Sequence, residues 1–452
     1  MRVGQPSLIT CTLVSLLTVA LSRDLPAQTA PQYEVQELGS SAWGLTIAND
    51  INNRGLVVGE WDSGQSFGGP RHAVVWHEGE MIDLTTDPGV VFAAARGVND
   101  TGLVTGFYNA DGSILSGGFR WVRGQFEELP TFAPGFQEGF GVTESGLVLG
   151  RAMHEDFKID ATVWDQDLGI VDLGNLGGGS SIAYDGNGWG TIVGTSSLSF
   201  TQNNACRWIG DELVDMGTLP GHPIGRAYAI NNHGEIVGFS GSAFDEHGFH
   251  WSAETGMVDL GDLGGPFGAS ATDINDDGVI VGFADTGSNR LGVVWHDFEL
   301  FDLNSLLVNG QGWLIKSANG INELGQIVGH ATHGGKQVAY VATPVDSPLT
   351  TLIGPSPGTA GTLNTIEIIE ATPGAPIQVC LGTAAGESPV GGCGGAVVDI
   401  ADPRSVLAVA DESGAVTLTF SLPSAAQGTT LLVQAVDLSN CDVTNLGVRK
   451  LD

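Results

Sequence analysis

The amino-acid sequence predicts an all-β protein, and three observations support that prediction. A segment that ends in Ile-Val-Gly or a close variant occurs seven times, at intervals of 44 or 47 residues. Each copy contains four short runs rich in β-branched and aromatic residues, with turn residues between them. No copy has room for an amphipathic helix of about ten residues. We therefore expect repeated antiparallel units of four strands each.

The fixed positions of the repeat define its turns. In all seven copies, a second glycine stands four residues before the closing glycine of the Ile-Val-Gly segment. An asparagine stands three residues before that second glycine in six copies, and Thr143 replaces it in the third. In such an Asn-x-x-Gly turn the Asn side chain accepts a hydrogen bond from the backbone, and Gly adopts a positive φ. The closing glycines are Gly59, Gly106, Gly150, Gly194, Gly238, Gly282 and Gly329.

A period in the forties with four strands per copy predicts a seven-bladed β-propeller, which leaves no long open sheet edge. The seventh copy lacks a fourth strand after Tyr340, because two prolines follow it closely. Residues 33–38 read as a spare strand of the missing type. Leu38 precedes Asn52 by 14 residues, and the fourth strands elsewhere precede the next turn by 14 residues (Leu129 to Thr143) or 15 (Leu260 to Asn275). We predict that this N-terminal strand completes the seventh blade and closes the ring.

Together, the seven copies resemble the HAF-type extracellular repeat of secreted bacterial proteins, over residues 32–343. The resemblance implies export from the cell. It implies no particular activity, because the family is defined by its repeat and not by a site.

Residues 1–27 have the pattern of a secretory signal peptide. Arg2 precedes an apolar run at residues 8–21, and Leu25-Pro-Ala27 offers a cleavage site. The apolar run is shorter than a membrane-spanning helix, which needs roughly 20 residues. We therefore expect an extracellular or cell-surface protein, exported through a signal peptide and without a membrane span.

The chain is strongly acidic, with 17 Lys and Arg against 51 Asp and Glu and a formal net charge of −34. This excess of acidic residues argues against nucleic-acid binding, which needs a positively charged surface. An acidic surface fits the solubility of an exported protein. Cation binding is the alternative interpretation of so many carboxylates.

The composition changes after a proline-rich linker at residues 344–357. Residues 358–452 contain no Trp, no His and no copy of the repeat. Short alternating apolar runs with turn signals between them predict a small immunoglobulin-like β-sandwich. The segment resembles a C-terminal domain of secreted bacterial proteins, in Gly391-Gly-Cys393 and Cys441-Asp-Val-Thr-Asn445 among other motifs.

Three of the four cysteines that follow the predicted signal peptide lie in this C-terminal segment. Spacing alone does not fix their pairing. The resemblance favours a Cys393–Cys441 disulfide, because both residues stand in the shared motifs, and Cys380–Cys393 is the alternative. We expect Cys206 to be a packing residue, and a buried thiol is the simplest interpretation of Cys380.

No motif nominates a catalytic, cofactor-binding or metal-binding residue. The segment Asp273-Ile-Asn275-Asp-Asp277-Gly matches the start of a calcium loop, but its twelfth position is Ala284 instead of Glu. We interpret the segment as the turn of the sixth repeat. The histidines lack zinc-binding spacing, and the carboxylates are too scattered to nominate an acid–base pair.

The loops between second and third strands differ most among the copies, and they share one face with the links between blades. Scaffold positions repeat while these loops vary, so we expect ligand specificity on this face, where the polar segments 154–156 and 246–247 fall. The repeated tryptophan is interpreted as packing between blades. Trp61, Trp189 and Trp313 do not repeat, and they are the candidates for stacking on a sugar.

A regular scaffold with variable loops and no catalytic motif predicts a secreted, monomeric, non-catalytic binding protein that needs no cofactor. Its expected partner is an extracellular glycan or another protein. One alternative is a polysaccharide-degrading enzyme, which would need a cluster of carboxylates, His or Tyr in a deep pocket. The other is a structural component of an envelope or matrix, which would show no saturable binding.

Overall fold

The computed structural model describes residues 31–451, apart from 41–44, 63–69, 88, 111–115, 243–244, 346–350, 357, 359, 361, 391–392, 394–395 and 402. The predicted signal peptide, residues 1–27, lies outside this range. Regular structure in the described residues consists of β-strands and two short 3-10 helices, so the all-β prediction is confirmed. None of the helices described is long and apolar enough to cross a membrane.

Each repeat forms antiparallel strands in chain order, and two pairs of repeats are joined into eight-stranded sheets by one parallel bridge each. The first three repeats contain β2 (Thr46–Ile51), β3 (Val57–Asp62), β4 (Arg71–His77), β5 (Glu80–Asp83), β6 (Val90–Val98), β7 (Val104–Ala110), β8 (Gly117–Val122), β9 (Gln125–Glu128), β10 (Gln137–Val142), β11 (Val148–Met153), β12 (Ile159–Asp165) and β13 (Gly169–Asp172). The next two contain β14 (Ser181–Gly186), β15 (Thr191–Ser199), β16 (Gln202–Ile209), β17 (Glu212–Gly217), β18 (Ile224–Ile230), β19 (Ile236–Ser242), β20 (Asp245–Ser252) and β21 (Gly256–Asp259). The last two contain β22 (Ala269–Ile274), β23 (Ile280–Asp285), β24 (Arg290–His296), β25 (Glu299–Asp302), a 3-10 helix (Leu303–Leu306), β26 (Trp313–Ile321), β27 (Ile327–His333) and β28 (Lys336–Pro344).

The N-terminal strand β1 (Tyr33–Ser40) pairs antiparallel with β28, from Tyr33 opposite Pro344 to Ser40 opposite Val338. The sheet of the seventh repeat has the order β1-β28-β27-β26, so the predicted pairing of this strand is confirmed. None of the sheets, as far as the structure describes them, closes on itself. The first strands of successive repeats contact one another, and β26 contacts β2.

Two ends of the repeats follow from this strand order. We call the end that carries the Asn-x-x-Gly turns the turn face. We call the opposite end, which carries the hairpins between second and third strands and the links between repeats, the loop face.

The Asn-x-x-Gly turns form as predicted. Asn52 Oδ1 accepts hydrogen bonds from the backbone N–H groups of Arg54 and Leu56, at 3.0 and 2.9 Å. Gly55 has a φ of 76°, which a side chain would resist. The local chemistry of the sequence therefore sets the shape of each turn.

The turn asparagines also join neighbouring repeats. Asn52 Nδ2 donates to the backbone carbonyl of Asn99, its counterpart in the next repeat, at 2.9 Å. Equivalent bonds follow from repeat to repeat, and Asn322 of the seventh repeat donates to Asn52 of the first at 3.0 Å. Thr143 has no amide to donate, so the third repeat lacks this bond to the fourth.

We expect Asn231→Ala to lower the free energy of unfolding by about 2 kcal/mol, because it leaves the buried Asn275 carbonyl and two partly buried N–H groups without this partner. Asn231 is buried, accepts from the N–H groups of His233 and Glu235, and donates to the Asn275 carbonyl at 3.1 Å. Urea unfolding at neutral pH measures the change. Gln202→Ala, at an exposed hairpin position, is the control, and equal midpoints for the two variants would contradict the prediction.

A β-bulge explains the closing glycines. In the fifth repeat the pairing of first and second strands shifts register between Ala227 and Ala229, opposite Gly238. The bulge places the Arg226 carbonyl oxygen 1.9 Å from where a Cβ on Gly238 would lie. At the other six closing glycines the corresponding distance is 1.9–2.1 Å. No side chain fits at this position in any repeat.

The repeated tryptophans pack between units, as predicted. Trp164, Trp208 and Trp295 are buried. Each indole Nε1 donates to a backbone carbonyl at the end of the preceding repeat, so the ring buries apolar area and satisfies its polar atom. The bonds run from Trp164 to Pro130 at 2.7 Å, from Trp208 to Leu173 at 2.9 Å and from Trp295 to Leu260 at 3.0 Å.

The C-terminal residues form three further sheets. A three-stranded and a five-stranded sheet share one core, in which Leu352, Ile366 and Val433 are buried. Residues 351–356, which the sequence places in the linker, form a strand paired with β30, because Leu352 and Ile353 are buried there. The elements are β29 (Thr351–Ser356), β30 (Leu363–Ile369), β31 (Pro376–Gly382), β32 (Ala385–Pro389), β33 (Val397–Ile400), β34 (Arg404–Val409), β35 (Val416–Ser421), a 3-10 helix (Ser424–Ala426), β36 (Thr430–Asp437), β37 (Asp442–Val443) and β38 (Gly447–Lys450).

The disulfide joins Cys393 to Cys441, as the resemblance of this segment implied. The alternative pairing of Cys380 with Cys393 is therefore wrong. Cys380 and Cys206 are buried free thiols, in agreement with the sequence prediction.

Candidate functional site

An acidic cavity of about 170 Å³ lies near the turn face and is lined by residues of all seven repeats. We call it the axial cavity. Its carboxylates come from two positions of the repeat, the residue two before the turn asparagine and the residue immediately after it. They are Asp50, Asp185 and Asp273 at the first position, and Asp100, Glu144, Asp276 and Glu323 at the second.

The aspartates at the first position hold neighbouring repeats together. Asp50 Oδ1 accepts from its neighbour Ile51 N–H at 2.7 Å, and Oδ2 accepts from Val98 N–H of the next repeat at 2.8 Å. Asp185 and Asp273 also accept from a backbone N–H of the next repeat. Three of the other repeats have glycine at this position.

The residues at the second position form a chain of hydrogen bonds around the turn face. Each side chain accepts from the backbone N–H of the residue at the same position in the preceding repeat. Gly188 has no side chain, which interrupts the chain after Glu144. The bonds run from Asn53 to Asp100 (2.8 Å), Asp100 to Glu144 (3.1 Å), Gly188 to Asn232 (3.0 Å), Asn232 to Asp276 (2.7 Å), Asp276 to Glu323 (3.0 Å) and Glu323 to Asn53 (2.9 Å).

Burial raises the pKa values of the axial carboxyls. It raises the pKa of Asp50 to about 7, with smaller contributions from the charges of Asp185 and Asp100, against the backbone hydrogen bonds that lower it. Burial likewise raises the pKa values of Glu144 and Asp185, and those of Asp273 and Glu323 rise well above their ordinary range. Several of these groups are therefore protonated at neutral pH.

The C-terminal residues contact the turn face. Arg54 Nη1 lies 2.7 Å from Glu367 Oε2 in β30, and Asn232 Nδ2 donates to the Leu446 carbonyl at 3.1 Å. A Cβ on Gly188 would lie 2.2 Å from the Val448 carbonyl oxygen, so the glycine makes room for this backbone. A second cavity of about 120 Å³ separates the axial carboxylates from residues 445–449.

Hydrogen bonds between repeats engage the axial carboxylates. In the described part of the chain, they do not bring three ligand atoms within 4.8 Å of one another. Their hydrogen bonds assign them to the joining of neighbouring repeats.

The loop-face half of the repeats carries a different set of side chains. Five arginines each lie over a phenylalanine ring, an arrangement that attracts the cation to the ring electrons. Arg71, Arg151, Arg226 and Arg290 stand near the loop-face ends of their strands, and Arg96 lies deeper. Their distances to the ring centres are 5.4 Å (Arg71 to Phe92), 5.4 Å (Arg96 to Phe107), 4.6 Å (Arg151 to Phe136), 5.5 Å (Arg226 to Phe239) and 3.1 Å (Arg290 to Phe283).

Aromatic rings connect these arginines across the third, fourth and fifth repeats. The ring centres of Phe140 and Tyr184 are 5.4 Å apart, and those of Tyr184 and Tyr228 are 5.2 Å apart, both edge to face. Arg226 hydrogen-bonds to Tyr228. The aromatic–arginine cluster consists of Phe140, Arg151, Tyr184, Arg226, Tyr228, Glu246 and Arg290.

Charge in the aromatic–arginine cluster is partly balanced. Arg151 Nη2 donates to Glu138 Oε2 at 2.7 Å. Burial raises the pKa of Glu246, while the charges of Arg290 and Arg226 oppose the rise. Arg290 is exposed, whereas Tyr228 and Glu246 are half-buried, so the cluster is open to solvent at its Arg290 end. Aromatic faces beside guanidinium groups can stack on a flat ligand and bind its anionic groups.

Histidines on the loop face lie beside carboxylates. His72 Nδ1 is 2.8 Å from Asp83, His154 Nε2 is 3.7 Å from Asp172, and His247 Nδ1 is 2.9 Å from Asp259. Two groups bring three ligand atoms within 4.8 Å of one another among the described residues. They are His222, Asp245 and His247, and His154, Asp160 and Asp172.

The candidates taken from the sequence are dispersed. Asp273 binds backbone N–H groups, Asn275 forms the turn and Asp277 is exposed, so they do not assemble a calcium loop. Trp313 stacks on His333 with ring centres 4.2 Å apart, and Trp189 lies at the turn face, where its Nε1 donates to the Asn232 carbonyl.

Trp61 is half-buried beside His72, with ring centres 6.0 Å apart. Trp61 and Trp313 thus stand at loop-face ends of their strands, whereas Trp189 lies at the opposite end. Of the polar loop segments, 154–156 and 246–247 do supply His154 and His247 to the two histidine groups. No spacing pattern in the sequence pointed to His222, which lies 25 residues before His247.

No protein-family model matches the chain, and no curated protein matches it. Among solved structures, it is similar to TolB from Acinetobacter baumannii, with 11% identity over 67% of this chain and 64% of that chain and a TM-score of 0.38. It is also similar to AofleA from Arthrobotrys oligospora (11% identity, 60% and 89% covered, TM-score 0.37). A third is the gluconolactonase XC5397 from Xanthomonas campestris (11% identity, 71% and 93% covered, TM-score 0.35). Likenesses at this level do not decide what the chain binds.

Proposed function

We propose that the protein is a secreted, non-catalytic binding scaffold and that the aromatic–arginine cluster binds an acidic extracellular glycan. The observation that carries this proposal is the concentration of arginines over aromatic rings near the loop face. The chain has only 17 Lys and Arg against 51 Asp and Glu. Three of those cations, Arg151, Arg226 and Arg290, belong to the aromatic–arginine cluster, where an anionic ligand would meet less repulsion than at the rest of the surface.

A glycan suits this cluster better than an apolar ligand. Tyr184 and Tyr228 offer ring faces and hydroxyl groups, and guanidinium groups match the geometry of carboxylates. A protein partner with an acidic segment is the alternative ligand, because the same arginines could bind its carboxylates. An acidic polysaccharide would place carboxylates at intervals that several arginines can meet at once.

The proposal includes the architecture that presents this cluster. The seven repeats would form a seven-bladed β-propeller in which β1 completes the last blade, followed by an immunoglobulin-like sandwich. The contact between β26 and β2 and the bond from Asn322 to Asn52 support a closed ring. We further propose membership of the HAF-type extracellular repeat proteins and export through residues 1–27.

We expect the purified protein to bind alginate, a polyuronate, and not the neutral polymer dextran. Arg290→Ala should weaken alginate binding about 10- to 150-fold, because one charge-assisted hydrogen bond contributes roughly 1.5–3 kcal/mol. Arg120→Ala is the matched control, since Arg120 pairs at 2.7 Å with Glu127 away from the cluster. Affinity electrophoresis and calorimetry measure both variants.

Four results would argue against the proposal. Equal binding of both polymers would show that charge does not determine binding. An unchanged affinity of the Arg290 variant would show that the site lies elsewhere. Release of new reducing ends from the polymer would favour the polysaccharide-degrading alternative. Self-association without saturable binding would favour a structural role.

A further inference from the structure

A second set of side chains on the loop face has the composition of a metal site. His222 lies in the link between β17 and β18, and Asp245 and His247 lie on β20. One ligand atom from each of the three lies within 4.8 Å of the other two. His247 Nε2 is 3.3 Å from Asp245 Oδ1, and the two imidazole centres are 4.7 Å apart.

The neighbours of His247 orient its ring. Its Nδ1 lies 2.9 Å from Asp259 Oδ2, and Asp259 Oδ1 accepts from the Gly261 N–H at 2.8 Å. A carboxylate that accepts from Nδ1–H selects the tautomer whose Nε2 lone pair is free. That lone pair is directed towards Asp245, where a cation would reduce the repulsion between two acceptors.

His222 is held in the same way. Its Nδ1 lies 3.3 Å from Ser240 Oγ, and that hydroxyl is within hydrogen-bond distance of the Ile224 carbonyl at 3.2 Å. When the serine donates to the carbonyl, its oxygen accepts from His222 Nδ1–H. Nε2 of this second imidazole is then also available to a metal ion.

We propose that His222, His247 and Asp245 bind one divalent transition-metal ion and that Asp259 orients His247. Two imidazoles and one carboxylate are a ligand set that zinc accepts in tetrahedral sites. Three protein ligands leave the fourth position for water or for an oxygen of a bound molecule. The site does not depend on the aromatic–arginine cluster, and its test does not require the glycan.

The group at His154 provides an internal comparison. It has one imidazole instead of two, and His154 stacks on Phe132 with ring centres 4.3 Å apart. Asp160 is buried, and its Oδ1 already accepts from Asn175 Nδ2 at 2.7 Å. We therefore expect this group to bind zinc more weakly than the group at His222.

Zinc titration of the metal-free full chain tests the proposal. We expect one dominant site, lost in His222→Ala and weakened about 10- to 100-fold in Asp259→Asn, the range for residues that orient a ligand. Cobalt substitution should give the visible absorption of a tetrahedral ion in the parent chain only. His333→Ala, a loop-face histidine beside Glu37, is the control and should leave binding unchanged.

Circular dichroism and the unfolding midpoint without metal establish that the variants fold. His222 lies in a link at the surface, so we expect its replacement to leave both unchanged. Zinc binding that is equal in the parent chain and the folded His222 variant would overturn the proposal. A parent chain that binds zinc no more tightly than the His222 variant does would also overturn it.

Discussion

The free energy of unfolding is expected to increase as the pH is lowered from about 8.5 to about 6.5. Burial raises the pKa of Asp50 to about 7 and raises that of Glu144, Asp273 and Glu323 as well. In the unfolded chain these carboxyls ionise near pH 4. Throughout the window the folded protein therefore holds protons that the unfolded chain has released, and its stability decreases as the pH rises.

The expected size of this effect is large. Each such carboxyl contributes up to about 1.4 kcal/mol per pH unit while it holds a proton only in the folded state. With two or more of them titrating, we expect a change of about 3 kcal/mol or more across the window. Guanidinium unfolding at constant ionic strength measures it.

The lower limit of the pH window is set by a group whose pKa is lowered in the folded protein and whose effect on stability therefore has the opposite sign. Burial lowers the pKa of His330 to about 4. In the unfolded chain this histidine binds a proton from about pH 6.5 downwards. Its contribution to stability is therefore lost as the pH falls from about 6.5 towards 4, which opposes the carboxyls below the window.

Asp50→Asn should reduce the slope of the pH dependence above about pH 6.5, because the amide does not titrate while Glu144, Asp273 and Glu323 still do. Asn offers one acceptor oxygen where Asp50 offers two, so the substitution also lowers stability at every pH. The readout is therefore the slope of the unfolding free energy against pH and not its absolute value. Asp411→Asn, at an exposed turn, is the control and should keep the parent slope. Stability that is constant or higher at the alkaline end would show that the axial carboxyls are ionised in the folded protein.

Gly238→Ala is expected to lower the free energy of unfolding by more than about 3 kcal/mol. The added Cβ would lie 1.9 Å from the Arg226 carbonyl oxygen. That carbonyl belongs to the bulge between first and second strands, so relief requires a backbone shift in β18, the first strand of the repeat. A flexible side chain could move aside, but a hydrogen-bonded backbone cannot do so without losing its partners.

Gly256→Ala separates this steric effect from the general cost of replacing glycine. Gly256 has a φ of 67°, and nothing lies within 4 Å of an added Cβ. We expect it to cost about 1–2 kcal/mol, the price of a left-handed conformation for alanine. Similar unfolding midpoints for the two alanine variants would mean that the bulge does not confine Gly238.

The periodic positions of the sequence predicted most of the fold. The turn asparagines and the closing glycines each occupy one structural role in every repeat that contains them, and Trp164, Trp208 and Trp295 share another. The pairing of β1 with β28 followed from one missing strand and one spare strand. The disulfide followed from the resemblance of the C-terminal segment and not from cysteine spacing.

The candidate sites were harder to predict, because they depend on contacts between repeats. Asp50, Asp185 and Asp273 share a position two residues before the turn asparagine, but only three repeats have Asp there. Comparison of positions common to all repeats therefore missed them. His222 lies beside His247 only because the link before β18 folds back beside Ser240. The spacing of residues along the sequence does not reveal that contact.

The pairing of β1 with β28 also has a kinetic consequence. Val35 lies opposite Ala342, so the first strand to be synthesised waits for a partner made about 300 residues later, a pairing of very high contact order. Until then β1 is an unpaired strand that other chains could join. Glu34 and Glu37 are exposed on it. Charged side chains on an unpaired strand discourage its pairing with other chains and so discourage aggregation. Replacing both by valine would therefore be expected to lower the yield of refolding more than the stability of the folded protein.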